Sequence, residues 1–451
     1  MTRKFDLVVI GTGSAGSTAA SACRREGWKV AIIDSRPFGG TCALRGCDPK
    51  KVLVGAAEAL DWARRMSGKG ITALDARIDW PDLMRFERTF TDPVPRSREE
   101  GLSKAGIDIF HGTAQFVGPQ SVQVAEDVLE TRHIVIATGA RPATLNIEGE
   151  KYLTTSDQFL ELDELPQRIA FVGGGYISFE FAHVAARAGS QVTVLHRGAH
   201  GLERFDAEMV DRLVNWSREI GINVQLGASV QGIERRSSGL IVKTSNGKEE
   251  KEYPADLVVH GAGRVPEIDE LDLARGGVEH ERRGVRVNEF LQIVSNPAVY
   301  AAGDCAWTGN PPLTPVAGYE GRIVASNLLN GNHQKADYGS VPSVAFTIPP
   351  LAAVGLDERT ARKQGWDFRV STGDISNWYA SRRIAETCAA YKVLVENGTD
   401  RILGAHLLGT HAEEHINLFA LAIRKGLTAS DLQETIYSYP THISNTQYMV
   451  P

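Results

Sequence analysis

The chain has 451 residues, of which 42% are hydrophobic and 23% charged, enough for two or three domains with a large core and too apolar for a disordered or fibrous chain. A net charge of −6 and a pI near 6.1 argue against nucleic acid or an anionic membrane surface as a partner. No stretch reaches the ~18 apolar residues of a membrane span, and the apolar run Leu7 to Ile10 is too short for a signal-peptide core. A cytoplasmic protein is expected.

The first element is a strand over residues 5–10, broken by Gly11-Thr12-Gly13-Ser14-Ala15-Gly16. An alanine-rich helix then runs to about Glu26, and a second strand, Lys29 to Ile33, closes on Asp34. Strand, G-x-G-x-x-G turn, helix, strand and a terminal acid are the context in which this glycine pattern binds a dinucleotide. Glycine, at 45 residues, exceeds its usual ~7% share, and such clusters account for the excess.

Next comes Gly39-Gly40-Thr41-Cys42, followed after four residues by Cys47 and then Asp48-Pro49-Lys50. The five cysteines, at 23, 42, 47, 305 and 388, are too sparse for a structural disulfide framework. On a regular helix, residues five apart are rotated by ~140° and separated by ~7.5 Å in rise. A disulfide needs Cα atoms within ~7 Å, so Cys42 and Cys47 can pair only across a distorted helix start. Gly39, Gly40 and Gly46 permit that distortion. Two unrelated buried thiols are the alternative; a metal site lacks further ligands nearby.

The nucleotide pattern recurs 162 residues on: strand Ile169 to Val172, then Gly173-Gly174-Gly175-Tyr176-Ile177-Ser178, a helix to about Ala188 and the strand Gln191 to Leu195. Two fingerprints imply two dinucleotides and electron transfer between them. Asp34 lies 23 residues past Gly11; at the same offset past Gly173 stand His196 and then Arg197. A carboxylate accepts from both ribose hydroxyls and repels a 2′-phosphate, whereas a neutral or cationic pair accepts that phosphate. The first site therefore suits FAD and the second NADPH, with NADH as the alternative if His196 and Arg197 are plain surface residues.

With these motifs quoted, the chain resembles the class I pyridine nucleotide–disulfide oxidoreductases over essentially its whole length. The Cys42-x4-Cys47 segment resembles the family's redox-active disulfide. Ala137-Thr138-Gly139 and Gly261-Ala262-Gly263-Arg264 resemble its domain crossovers, Ala301-Ala302-Gly303-Asp304 its second FAD motif, and Leu313-Thr314-Pro315-Val316-Ala317 the loop beside the flavin. The resemblance implies that Cys42 attacks the acceptor, Cys47 contacts the flavin, Lys50 lies near the flavin paired with Glu180, and Tyr176 shields the ring. It assigns Gly11, Gly13, Ser14, Ala15, Gly16, Asp34, Gly40, Thr41, Lys50, Thr113, Ala114, Thr138, Gly139, Arg264, Asp304, Thr314 and Ala317 to FAD. To NADPH it assigns Gly173, Gly175, Tyr176, Ile177, Glu180, His196, Arg197 and Gly263. No resident metal is implied.

The implied architecture is α/β: two Rossmann-like domains and a C-terminal α+β dimerisation domain. Residues 1–150 and 266–335 would bind FAD, 151–265 NAD(P)H, and 336–451 would form the interface of a homodimer. One departure stands out. The family's C-terminal histidine and its partner glutamate are here Tyr439 and Ser444, in Ser438-Tyr439-Pro440-Thr441-His442. A positioned acid contributes ~10²–10⁴ in rate, so either His442, with Tyr439 assisting, supplies the proton, or the acceptor releases an acidic thiol, or the acceptor is a quinone, metal ion or oxygen. A flavin-dependent oxidase and a redox sensor with little turnover remain alternatives to a reductase acting on a small-molecule disulfide. His411-x-x-Glu414-His415 is read as part of the interface rather than a zinc site.

Overall fold

The computed structural model describes residues 1–72 and 75–451, which divide into two compact units. The first holds residues 1–50, 86–143 and 264–338. Its centre is a seven-stranded sheet built from β1 (Thr2–Ile10), β2 (Val30–Asp34), β3 (Asp108–His111), β4 (Ala114–Gly118), β5 (Ser121–Val124) and β6 (Asp127–Ile136), in the order β3-β2-β1-β6-β5-β4, with the strand Val299–Ala301 also on β6. β3, β2, β1, β6 and Val299–Ala301 run parallel, while β4, β5 and β6 form an antiparallel meander. Leu7, Val8 and Val9 are fully buried, as expected of a parallel strand covered on both faces.

α1 (Ser14–Arg25) leaves the first glycine turn with Gly13 as its N-cap and buries Ala15, Ala19 and Ala20. A Cβ on Gly16 would lie 2.0 Å from the Gly11 carbonyl oxygen, so the third glycine of the turn is what lets α1 approach β1. Gly11 itself has φ +107, and a Cβ there would meet the Ala137 oxygen at 2.2 Å. After β2 come α2 (Gly40–Arg45) and α3 (Cys47–Arg65). Between them Gly46, at φ −144 and ψ −113, breaks the helix, and a Cβ on it would come 2.8 Å from the Thr41 oxygen. The distortion required by the Cys42–Cys47 spacing is thus a change of helix at Gly46.

The second unit holds residues 51–85, 144–263 and 339–451. It contains a five-stranded sheet in the order Asn223–Leu226, Gln191–His196, Arg168–Val172, Leu257–His260, Leu153–Thr154, every pair parallel. The helix Tyr176–Arg187 follows the second glycine turn. Ser178 occupies the third small position and is fully buried. A Cβ on Gly261 would fall 2.0 Å from the Ser178 hydroxyl, so this turn tolerates a serine because the facing residue is glycine. A three-stranded antiparallel sheet, Ser229–Arg236, Gly239–Ser245 and Glu250–Ala255, stands beside it in sequence. The C-terminal part is a five-stranded antiparallel sheet with the helix Ala412–Lys425, whose Ile416, Phe419 and Ala422 share one core with Val393, Ala405 and Leu407 of the sheet. The fold is mixed α/β with an α+β C-terminal portion, in agreement with the sequence. Among the described residues no helix is long and apolar enough to cross a membrane.

Gly11→Ala is expected to destabilise the first unit by more than about 2 kcal/mol, since a positive φ alone costs roughly 1–3 kcal/mol at a non-glycine residue and the clash with Ala137 adds to it. Thermal unfolding followed by circular dichroism, with a clear fall in apparent Tm, checks this.

Candidate active site

The first nucleotide turn is tied to the end of β2 by one carboxylate. Asp34 accepts hydrogen bonds from the Thr12 amide at 2.9 Å, the Thr12 hydroxyl at 2.6 Å and the Arg36 amide at 3.0 Å. The Thr12 hydroxyl in turn accepts from the Gly39 amide at 3.1 Å. Sequence reasoning singled out Asp34 and missed Thr12, although a hydroxyl inside the G-x-G triplet was a visible signal. Gly40, at φ +73, packs directly on the turn: a Cβ there would sit 2.5 Å from the Gly13 Cα. The segment bearing Cys42 therefore rests on the nucleotide turn.

Other predicted FAD residues line the same unit. Thr113 is exposed and Ala114 buried where β3 leads into β4. The Thr138 hydroxyl is buried beside the Cys305 thiol, and Gly139 has φ +73. Burial pushes the Asp304 carboxyl up, opposed by the charge of Arg264, whose guanidinium donates to the Ala140 oxygen. Glu320, which the sequence did not point to, is buried and accepts from the Gly303 amide at 2.6 Å and the Tyr338 hydroxyl at 2.7 Å. It fixes the turn carrying Asp304 from 17 residues along the chain. A turn walled by glycine backbone, which a Cβ would fill at Gly11 and Gly16, with the Asp34 carboxylate at its edge, fits a flavin dinucleotide.

Cys42 and Cys47 are free thiols in side-chain hydrogen-bond contact. The Cys42 thiol donates to Cys47, and this bond is the main reason the Cys47 thiol is lowered to about 6; burial opposes it, while Thr314 and the charge of Lys50 assist. Cys47 Sγ lies 3.4 Å from the Thr314 hydroxyl. Cys42 is held far above the ordinary thiol range, by that same bond and by burial. The two sulfurs titrate as a pair: the first proton leaves easily and the second stays. The other cysteines differ. Burial pushes Cys23 and Cys388 up to about 12 and Cys305 to about 11, which suits packing residues.

In the second unit, the helix Tyr176–Arg187 presents Glu180, His183 and Arg187 to one segment. Glu180 accepts from the Phe346 amide at 2.7 Å. His183 accepts from the Ile348 amide at 3.1 Å and donates to Ser217 at 2.9 Å. Arg187 donates to the Ile348 oxygen at 3.0 Å and to Asp61 at 2.7 Å. His183 is fully buried, and burial drives its basicity well below the usual range, so it serves as a neutral clamp. Tyr176 is half exposed at the start of this helix and Ile177 half-buried. The His196 ring lies against Gly174, where a Cβ would approach it to 2.4 Å, and its Nε2 bonds the His200 oxygen at 2.9 Å. Arg197 and Gly263 are exposed.

At the C-terminal end Tyr439 is 79% exposed. Ser444 donates to the Thr441 oxygen at 2.6 Å and serves its own turn. The His442 ring stands edge-on to His411 at 5.1 Å; its buried Nε2 has no hydrogen-bond partner among the described residues. Burial, with the charges of His411 and Arg383, lowers it to about 4. His415 bonds the Thr446 hydroxyl at 2.6 Å.

Residues 5–321 match the family described as pyridine nucleotide-disulphide oxidoreductase, and residues 341–450 match its dimerisation domain. A glutathione reductase of Burkholderia cepacia is 34% identical over 97% of this chain and 96% of its own length. A mercuric reductase of Staphylococcus aureus is 33% identical over 97% of this chain and 80% of its length. Among solved structures, the Cu(II) complex of the HOCl-induced flavoprotein disulfide reductase RclA from Escherichia coli superposes with a TM-score of 0.88 at 28% identity, over 99% of both chains.

For the reduced protein, the thiolate ultraviolet absorbance should be lost as pH falls through about 6, because the proton that Cys47 lacks at neutral pH returns there. In Cys47→Ser this step should vanish, leaving only titration at or above the ordinary thiol range.

Proposed function

This chain belongs to the pyridine nucleotide-disulphide oxidoreductase family, an FAD-dependent group acting with NAD(P)H, and from that premise we propose that it is an NADPH-preferring reductase whose electrons leave through Cys42 and Cys47 to a small-molecule disulfide or related acceptor. The observation that carries this reading is the hydrogen-bonded dithiol, with Cys47 lowered to about 6 and Cys42 retaining its proton. Bound flavin would accept a hydride from the nicotinamide and supply an electron pair to sulfur.

The chain's own groups do the rest. Residues 1–150 and 266–335 would hold FAD, 151–265 NAD(P)H, and 336–451 would pair two copies. Asp34 would hold the FAD ribose, and Arg197 a 2′-phosphate. Lys50 keeps the Cys47 thiolate charged, and Thr314 donates to it. Cys42 passes its proton to the Cys47 thiolate along their hydrogen bond and, as the thiolate, attacks one sulfur of the acceptor disulfide; an S–S bond forms between Cys42 and that sulfur, and the first thiol leaves with the proton returned by Cys47. Cys47 then attacks Cys42, closing the Cys42–Cys47 disulfide and releasing the second thiol. Both protons on the products come from the dithiol or from solvent. His442, lowered to about 4, is neutral at pH 7 in this setting, which favours acceptors that need little help in leaving. A second reading, a metal ion as acceptor, is supported by the loss of the usual histidine–glutamate pair together with the likeness to a reductase seen with Cu(II).

Anaerobic addition of NADPH should bleach the flavin and generate a long-wavelength absorbance band that Cys47→Ser abolishes, while Cys42→Ser should lower disulfide reduction by at least ~10²-fold, as loss of a nucleophile does. Undiminished turnover in Cys42→Ser, with steady oxygen consumption, would replace this reading by an oxidase. Arg197→Ala should lower kcat/KM for NADPH roughly tenfold and leave NADH unchanged, the loss of one charged hydrogen bond; an equal fall for both nucleotides would refute the phosphate role.

A further inference from the structure

The segment that holds the dithiol also holds a charge with no part in the steps above. Asp48 follows Cys47 in the first turn of α3 and is exposed. Its carboxylate Oδ1 lies 3.9 Å from Cys42 Sγ. Two charged side chains act on this pair, with opposite signs. Lys50 is buried and bears on Cys47, whereas Asp48 bears on both sulfurs. An acceptor atom bonding to Cys42 comes within a few ångströms of the Asp48 carboxylate.

We propose that Asp48 is a specificity-determining residue that selects acceptors by charge, disfavouring anionic disulfides and electrophiles at Cys42 and favouring neutral or cationic ones. The proposal rests on the reading of Cys42 as the thiol that meets the acceptor. Like unit charges about 4 Å apart repel even in bulk water by an amount equivalent to roughly a fivefold change in rate or affinity. A first-turn carboxylate also complements the helix dipole, but that role alone alters stability and leaves the ratio of charged to neutral reagents unchanged.

The test compares iodoacetate, an anion, with iodoacetamide, its neutral analogue, on the reduced holoenzyme at constant pH, with Cys42 alkylation read by peptide mass spectrometry. In each case an S–C bond forms, iodide leaves and the thiol proton passes to solvent. Asp48→Asn should raise the iodoacetate-to-iodoacetamide rate ratio ~3–5-fold, and Asp48→Glu should keep the wild-type ratio. Salt near 1 M, where the Debye length is about 3 Å, should raise the ratio in the wild-type protein, an arm that stands even if Asp48→Asn does not fold. A ratio that ignores both the substitution and the salt overturns the proposal. The ratio is read without turnover, so failure of the electron-exit reading, seen in Cys42→Ser, is distinguishable from failure of this one.

Discussion

Two thiols deliver an electron pair to an acceptor most readily when one is ionised and the other still holds a proton, and in this protein a single hydrogen bond between Cys42 and Cys47 sets that asymmetry. Burial raises both sulfurs; only the bond from Cys42, helped by Thr314 and Lys50, brings Cys47 down to about 6. The bond requires the side chains to meet across five residues, which a continuous helix forbids. Gly46 supplies the break, and Gly40 seats the preceding helix on Gly13 of the nucleotide turn. The dithiol and the nucleotide cradle are therefore one piece of backbone geometry.

The second glycine turn solves the same packing problem differently. Where α1 needs a glycine at position 16, the later helix carries Ser178 and the relief comes from Gly261 on the opposing strand end. Its polar face bonds the backbone of one segment: Glu180, His183 and Arg187 each reach residues 346–348. A fully buried histidine can do this only when neutral, because an imidazolium would pay a large desolvation cost and lose its acceptor nitrogen.

The C-terminal loop is organised by its own hydrogen bonds and by burial. Ser444 caps its own turn, Tyr439 faces outward, and the neighbouring His442 is held at about 4. Under the proposed function, with His442 neutral at pH 7, the burden of protonation shifts to the dithiol and to the acceptor. That shift gives the charge of Asp48, beside Cys42, its weight in deciding which acceptors react.

Much of this was legible from the sequence, because the informative patterns are short. The two glycine turns and the Cys42–Cys47 spacing are local, and local backbone rules bind the glycine turns to strand–turn–helix units. The family resemblance and the mixed α/β fold followed from them. The partners that complete the site were not legible. Glu320 reaches Gly303 from the far side of a loop, Gly261 makes room for Ser178 from 83 residues away, and His183 meets Ile348 across 165 residues. The titration of Cys47, Cys42 and His442 was equally hidden, since desolvation and nearby charges act through space. Short-range sequence determined which groups this protein carries and in what local turns; only the tertiary structure decided which are buried, which touch, and which hold their protons.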